Sequence, residues 1–345
     1  MSLEASVDRH DLPLADAFTI ARGTTETATI HAVELADGDG RVGYGAAAPA
    51  AYYGEDPDSV AAALPDLLAA VERIGDPHAQ QRVERELRER APDQAAARAA
   101  VSIAVHDLAA RQRGEPLYRR WGLDAGAAPR TSYTVGIDDP AAMADRAAAI
   151  VAEGYPILKV KLGTDEDRAR LEAIRAAAPE ATIRVDANAA WDAEEAIEAT
   201  AWLEALSVEL LEQPVPAADL AGLGRVRDAT SIPVAADEAC VTARDVPGVA
   251  AAADVVVVKL MKTGGLRGAL AQIAAAHAHD LDVMLGCMVE SDASIAAACH
   301  LAPLVAYADL DGSLLLARDP YDGVPLPDGK IRLDPDAVGT GVEPA

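Results

Sequence analysis

The sequence predicts an α/β protein, a (β/α) barrel preceded by a smaller α+β domain. Two observations carry that reading. Between residues 131 and 312, eight short apolar strands alternate with helical patterns, a regular repeat that suits a barrel better than an open sheet. Before that stretch, strands come first and helices follow without alternation, the mark of a separate α+β unit. At 345 residues the chain is long enough for both.

In the first unit, residues 7–10, 18–22, 27–35 and 42–45 read as short strands separated by Pro, Gly and Asp-Gly turn signals. Residues 59–73, 78–89 and 94–114 place apolar side chains three and four apart and read as helices. A Gly/Ala/Pro-rich connection at 123–129 ends this domain, assigned to 1–125. The barrel, 126–314, is expected to place strands at 131–137, 157–162, 182–188, 208–212, 234–237, 254–260, 282–288 and 307–312. Helices are expected at 142–153, 165–178, 192–206, 217–227, 265–279 and 292–302. The tail, 315–345, is expected to return to the first domain, with an extended piece at 330–333 packing there.

Composition narrows the functional classes. A formal charge of -26 repels nucleic acid and anionic membrane at any ordinary salt concentration. No apolar run reaches the length that crosses a bilayer, and the N-terminus lacks a basic-then-apolar signal pattern. Cys240, Cys287 and Cys299 form no paired framework and have no metal-type spacing, which suits a reducing, cytoplasmic setting. The acidic, lysine-poor surface fits a high-salt habitat, although a GC-rich genome gives the same bias.

The chain holds only five lysines against 25 arginines, and four of the five, Lys159, Lys161, Lys259 and Lys262, close two apolar strands. In a strand Lys159 and Lys161 share one face while Leu158, Val160 and Leu162 take the other. The strand ends Lys161, Asp186, Glu212, Asp237 and Lys259 are separated by 25, 26, 25 and 22 residues, one barrel repeat each. Equivalent places in successive repeats ring the C-terminal mouth of a barrel, so these side chains should converge. Three carboxylates sharing a small volume need a compensating charge. Oxygen donors without histidine or cysteine point to Mg2+. Lys161 and Lys259 would flank that cation, with desolvation, the cation and the Lys159 ammonium lowering their pKa values into the range of a base. Asp309 and Asp311, on one face of the last strand, are placed to meet a substrate cation.

The pattern Lys159-Val-Lys161, Asp186-Ala-Asn188, Glu212-Gln-Pro214, Asp237-Glu238 and Lys259 with Gly264-Gly265 resembles the enolase superfamily, in its muconate-lactonising subgroup. The resemblance covers nearly the whole chain and implies a modified TIM barrel, (β/α)7β, with an N-terminal α+β capping domain. It implies Lys161 and Lys259 as the acid/base pair, Asp186, Glu212 and Asp237 as magnesium ligands, and Lys159 as the group that orients substrate and tunes Lys161. Asp309-Leu-Asp311 is similar to the signature by which dipeptide epimerases hold a free α-ammonium. Residues 18–23 and 53–55 resemble those enzymes' mobile capping loops, with Arg22 meeting a side-chain carboxylate of the substrate. Thr134, Cys287 and Val289 match pocket-lining positions.

The implied activity is inversion of the second α-carbon of a dipeptide, L-Ala-L-Glu to L-Ala-D-Glu or a close relative, by two-lysine proton transfer through an enediolate. A cycloisomerase, an N-acylamino-acid racemase or an o-succinylbenzoate synthase would use the same lysine scaffold without the free ammonium. A paralogue that binds a metal-carboxylate ligand without turnover is the non-enzymatic alternative. The family also implies a homo-oligomer.

Overall fold

The computed structural model describes residues 2–345. Three antiparallel strands open it, β1 (Leu3–Ile20), β2 (Gly23–Asp37) and β3 (Val42–Ala47), in that spatial order. The two short strands expected at 7–10 and 18–22 are parts of β1, whose ladder with β2 continues across a bulge between Pro13 and Phe18. Proline is tolerated at a bulge, so Pro13 interrupts the strand without ending it. The hairpin closes at Ile20–Gly23, leaving Ala21 and Arg22 at its tip.

Helices Pro57–Ile74, Gln80–Arg90 and Ala95–Arg113 follow. The first starts with an Asp56/Ser59 capping box and Pro57, which satisfies its orphan amides. The third lacks a side-chain cap on its own N-cap residue, and the amide of Ala96 instead donates to Glu55 at 2.9 Å. Its alanine-rich body is buried from Ala96 to Ala110 against the sheet. That close approach depends on Gly43 and Gly45, where a Cβ would collide with the carbonyls of Ala104 and Ala100.

The barrel strands are β4 (Tyr133–Val135), β5 (Ile157–Lys161), β6 (Thr182–Asp186), β7 (Val208–Glu212), β8 (Val234–Ala236), β9 (Val255–Val258), β10 (Asp282–Leu285) and β11 (Tyr307–Ala308). They are parallel neighbours in sequence order, and a bridge between Thr131 and Ala308 closes the ring. Several strands stop before the expected ends because the chain leaves the ladder where it turns into the mouth. Asp309 and Asp311, expected within the last strand, therefore follow it.

The larger barrel helices span Pro140–Ala152, Asp167–Ala177, Ala193–Ala205, Leu220–Asp228, Leu266–Ala278 and Asp292–Cys299. Two single-turn helices, Val246–Val249 and Leu260–Thr263, were not expected, since four residues are too few to show a period. Each of the seven strand-to-strand connections carries a helix, so the architecture is (β/α)7β.

Strand alternation sorts the side chains. Leu158, Val160, Ile183, Val185, Leu211, Val256 and Val258 belong to the main core, while Leu210, Ala235, Val255, Val257 and Met284 fill the lumen as a second cluster. Above that apolar plug stand the charged strand ends. The tail reaches the capping domain through Ala317, which donates to the Pro13 carbonyl, and Thr340, which donates to Asp107. The piece at 330–333 is not a strand there, and Lys330 bridges Arg130 at the entry to the barrel.

Candidate active site

The barrel places Lys161 opposite Asp186, and Asp186 opposite Glu212, the β6–β7 ladder shifting by one residue between Ile183 and Arg184 before it reaches them. Asp237 and Lys259 come one residue after β8 and β9, so three acid-bearing strands separate the two lysines. A cavity of about 730 Å³ opens above them. Its lining includes Lys159, Lys161, Lys259, Asp237, Asp309 and Asp311, together with Arg22, Thr134, Cys287 and Val289. Asp186 and Glu212 lie beneath that floor, fully buried.

Four ammonium groups are interleaved with the acids. Lys159 Nζ lies 2.7 Å from Glu212, 2.7 Å from Asp309 and 3.2 Å from Asp186. Lys161 Nζ is 2.6 Å from Asp186 Oδ2, and Lys259 Nζ is 2.8 Å from Asp237 Oδ2. Burial opposes charge on Lys159, but Asp309, Glu212 and Asp186 outweigh it and hold the ammonium well above its ordinary pKa. For Lys259, burial is likewise overcome, chiefly by Asp237, so its pKa is raised. Among the chain's own groups, a carboxylate in direct contact outweighs burial at Lys259.

The acids respond in kind. Burial would raise Asp186 and Asp237, yet Lys161 and Lys159 hold the first, and Lys259 and Lys262 the second, far below the usual carboxylate range. Glu212 goes the other way, pushed up to about 8 by burial and by the charge of Asp186. Its Oε2 is near Lys159 in distance but out of line for a hydrogen bond, so both Glu212 oxygens lack a hydrogen-bond partner. Among the described residues, no three His, Cys, Asp or Glu side chains are gathered into a metal cluster, and lysines intervene between these carboxylates. Orphaned Glu212 oxygens within an all-oxygen donor set nevertheless fit a hard divalent cation.

At the other end of the cavity, Asp309 accepts from Ser132 Oγ at 2.6 Å and from Lys159, while Asp311 accepts from the Thr134 amide at 2.6 Å. Burial and the neighbouring Asp309 charge push Asp311 up to about 7. Arg22 lies over the cavity from the β1–β2 tip, 2.8 Å from Glu238 and 4.6 Å above the Tyr52 ring, and donates to the Asn188 carbonyl. Residues 18–20 pair with residues 23–25, as the strand reading of 18–22 expects, so the segment likened to a capping loop is a hairpin whose tip is Ala21 and Arg22.

Ser132, Tyr52 and the buried Glu238 were not read as functional. Glu238 had a signal, its place beside Asp237, whereas Ser132 and Tyr52 had none in the sequence.

A (β/α)7β barrel with an α+β cap and a lysine-flanked acid set defines an enolase-like protein. Residues 142–345 match the family described as enolase C-terminal domain-like, and residues 3–122 match the mandelate racemase/muconate lactonizing enzyme N-terminal domain. The chain belongs to that family. It is 37% identical, over 96% of its own length and 86% of the relative's, to an L-Ala-D/L-Glu epimerase of Bacteroides thetaiotaomicron. A dipeptide epimerase of Enterococcus faecalis V583, solved with Mg and L-Leu-L-Tyr, superposes with a TM-score of 0.92 at 33% identity, covering 99% of each chain. An N-succinyl Arg/Lys racemase of Bacillus cereus is similar with a TM-score of 0.91 at 27% identity, covering 100% of this chain and 96% of the other.

Proposed function

We propose that this protein is a magnesium-dependent dipeptide epimerase that inverts the α-carbon of the second residue, with L-Ala-L-Glu and L-Ala-D-Glu as the first pair to test. The observation that carries the reading is one cavity lined by Lys161 and Lys259, whose strands flank those ending in Asp186, Glu212 and Asp237, with Asp309 and Asp311 farther along the wall. Asp186, Glu212 and Asp237 would hold magnesium, which supplies positive charge to the substrate carboxylate as the neighbouring carbon becomes acidic.

Lys161 Nζ and Lys259 Nζ exchange the α-proton on opposite faces: one removes it as the neutral amine, and the other, as the ammonium, returns one to the other side. Asp309 and Asp311 bind the dipeptide's α-ammonium, a role supported by their burial and by the Ser132 and Thr134 donors that fix them. Arg22 and the Tyr52 ring roof the end where the second side chain would lie and limit the entry of water. The relatives' names differ in that side chain, so its identity is decided by this roof. With three free cysteines, we assign the activity to the cytoplasm.

Incubation in D2O with a dipeptide library tests the reading. Deuterium should enter the second α-carbon, and no incorporation with any dipeptide would reject it. The likeness to an N-succinyl amino acid racemase favours a second reading, which the acid pair separates. The double variant Asp309→Asn, Asp311→Asn should lose dipeptide turnover by about a hundredfold. Turnover of N-succinyl amino acids at rates matching or exceeding those of dipeptides would favour the racemase.

A further inference from the structure

Lys262 is the one lysine of the apolar strand ends that does not reach the cavity. Its side chain is 0% exposed and is absent from the cavity lining. Around Nζ stand Asp237 Oδ1 at 2.5 Å, the Asp237 carbonyl at 2.8 Å, the Val257 carbonyl at 2.8 Å and the Cys240 carbonyl at 3.0 Å. Four oxygen acceptors face it, an arrangement that suits an ammonium with three N–H groups. A buried charge of this kind is costly to maintain, and a core needing only volume there would be served by methionine.

The local chain is built to hold it. Lys262 lies on the single turn Leu260–Thr263, which ends at Gly264 with φ 74° and continues through Gly265 with φ 114°. A side chain at Gly265 would strike Ser102 on the capping-domain helix Ala95–Arg113, so the turn is seated directly on that helix.

The consequence falls on Asp237. Its Oδ1 is taken by Lys262, while Oδ2, 2.8 Å from Lys259, is the oxygen on the cavity side. We infer that Lys262 is a positioning residue: it fixes Asp237 so that a single oxygen, Oδ2, is offered both to a divalent cation and to Lys259. This rests on the proposed metal role of Asp237. It adds that Lys262, which touches neither substrate nor metal, sets the strength of cation binding.

The test is calorimetric titration of Mn2+ into the full-length Lys262→Met and Lys262→Gln proteins, without substrate, beside thermal melts of the metal-free forms. Affinity should fall about tenfold in each, the usual effect of losing a partner behind a metal ligand. Affinity within twofold of the parent would overturn the inference, whatever happens to the melting temperature. Should neither variant fold, the structure of the unaltered protein with Mn2+ decides. Asp237 bound through Oδ2 alone, with Lys262 still on Oδ1, supports the inference, and both oxygens on the metal, or Lys262 detached, contradicts it. If the unaltered protein binds no Mn2+ at Asp237, the metal assignment fails and takes this inference with it.

Discussion

The lysines of the barrel mouth and the arginines of the outer surface carry the same charge, but the fold treats them in opposite ways. Lys159 and Lys262 are 2% and 0% exposed; buried acids surround the first, and buried Asp237 with three main-chain carbonyls holds the second. Arg225 and Glu194, paired at 2.8 Å on neighbouring barrel helices, are 55% and 68% exposed. Water already solvates the second pair, so bringing the charges together gains little. The first group has surrendered its hydration and is held only by its partners, which is why one change there reaches every neighbour. A charge buried at that cost makes its place a candidate for function, which a surface pair at a similar distance is not.

The contrast orders the expected effects of substitution. Lys259→Ala should reduce epimerisation by about a thousandfold, the scale of a lost acid/base group, as read by polarimetry or by NMR of the two epimers. Activity within tenfold of the parent would remove Lys259 from the chemistry. Gly45→Ala probes an uncharged close contact instead. The new methyl meets the Ala100 carbonyl, and stability in urea should fall by about 1–3 kcal/mol.

Glu55, behind the turn that carries Tyr52 and Tyr53, is an intermediate case. Burial pushes its carboxyl from 4.5 up to about 7. The folded chain holds that proton more tightly than the unfolded chain. Its contribution therefore favours the fold below pH 4.5 and is lost as pH rises through about 7. Glu55→Gln should remove that component, flattening the melting temperature against pH by on the order of 2 °C. Identical slopes in the two proteins would contradict the assignment. Arg225→Ala should be the mildest, changing stability by less than about 0.5 kcal/mol.

The barrel period made Lys161, Asp186, Glu212, Asp237 and Lys259 legible, because one residue per repeat at a strand end is a pattern in sequence as well as in space. The partners of Lys262 were not legible. Three of its four acceptors are main-chain carbonyls, and no residue type announces those. Strand lengths were overread for the same reason the site exists: the apolar run continues as the chain bends into the mouth, so 307–312 looked extended although the ladder ends at Ala308. Lys159 was read as a substrate-orienting group, and its three carboxylate contacts became visible only when barrel closure brought Asp309 beside β5.

The most direct test of the two-lysine arrangement follows each epimer separately by proton NMR in D2O with Lys161→Ala and Lys259→Ala. Each variant should still exchange the α-proton of one epimer and not the other, with the preference reversed between the two. Equal exchange of both epimers in either variant, or the same epimer surviving in both, would contradict a proton carried across one carbon by lysines on its two faces.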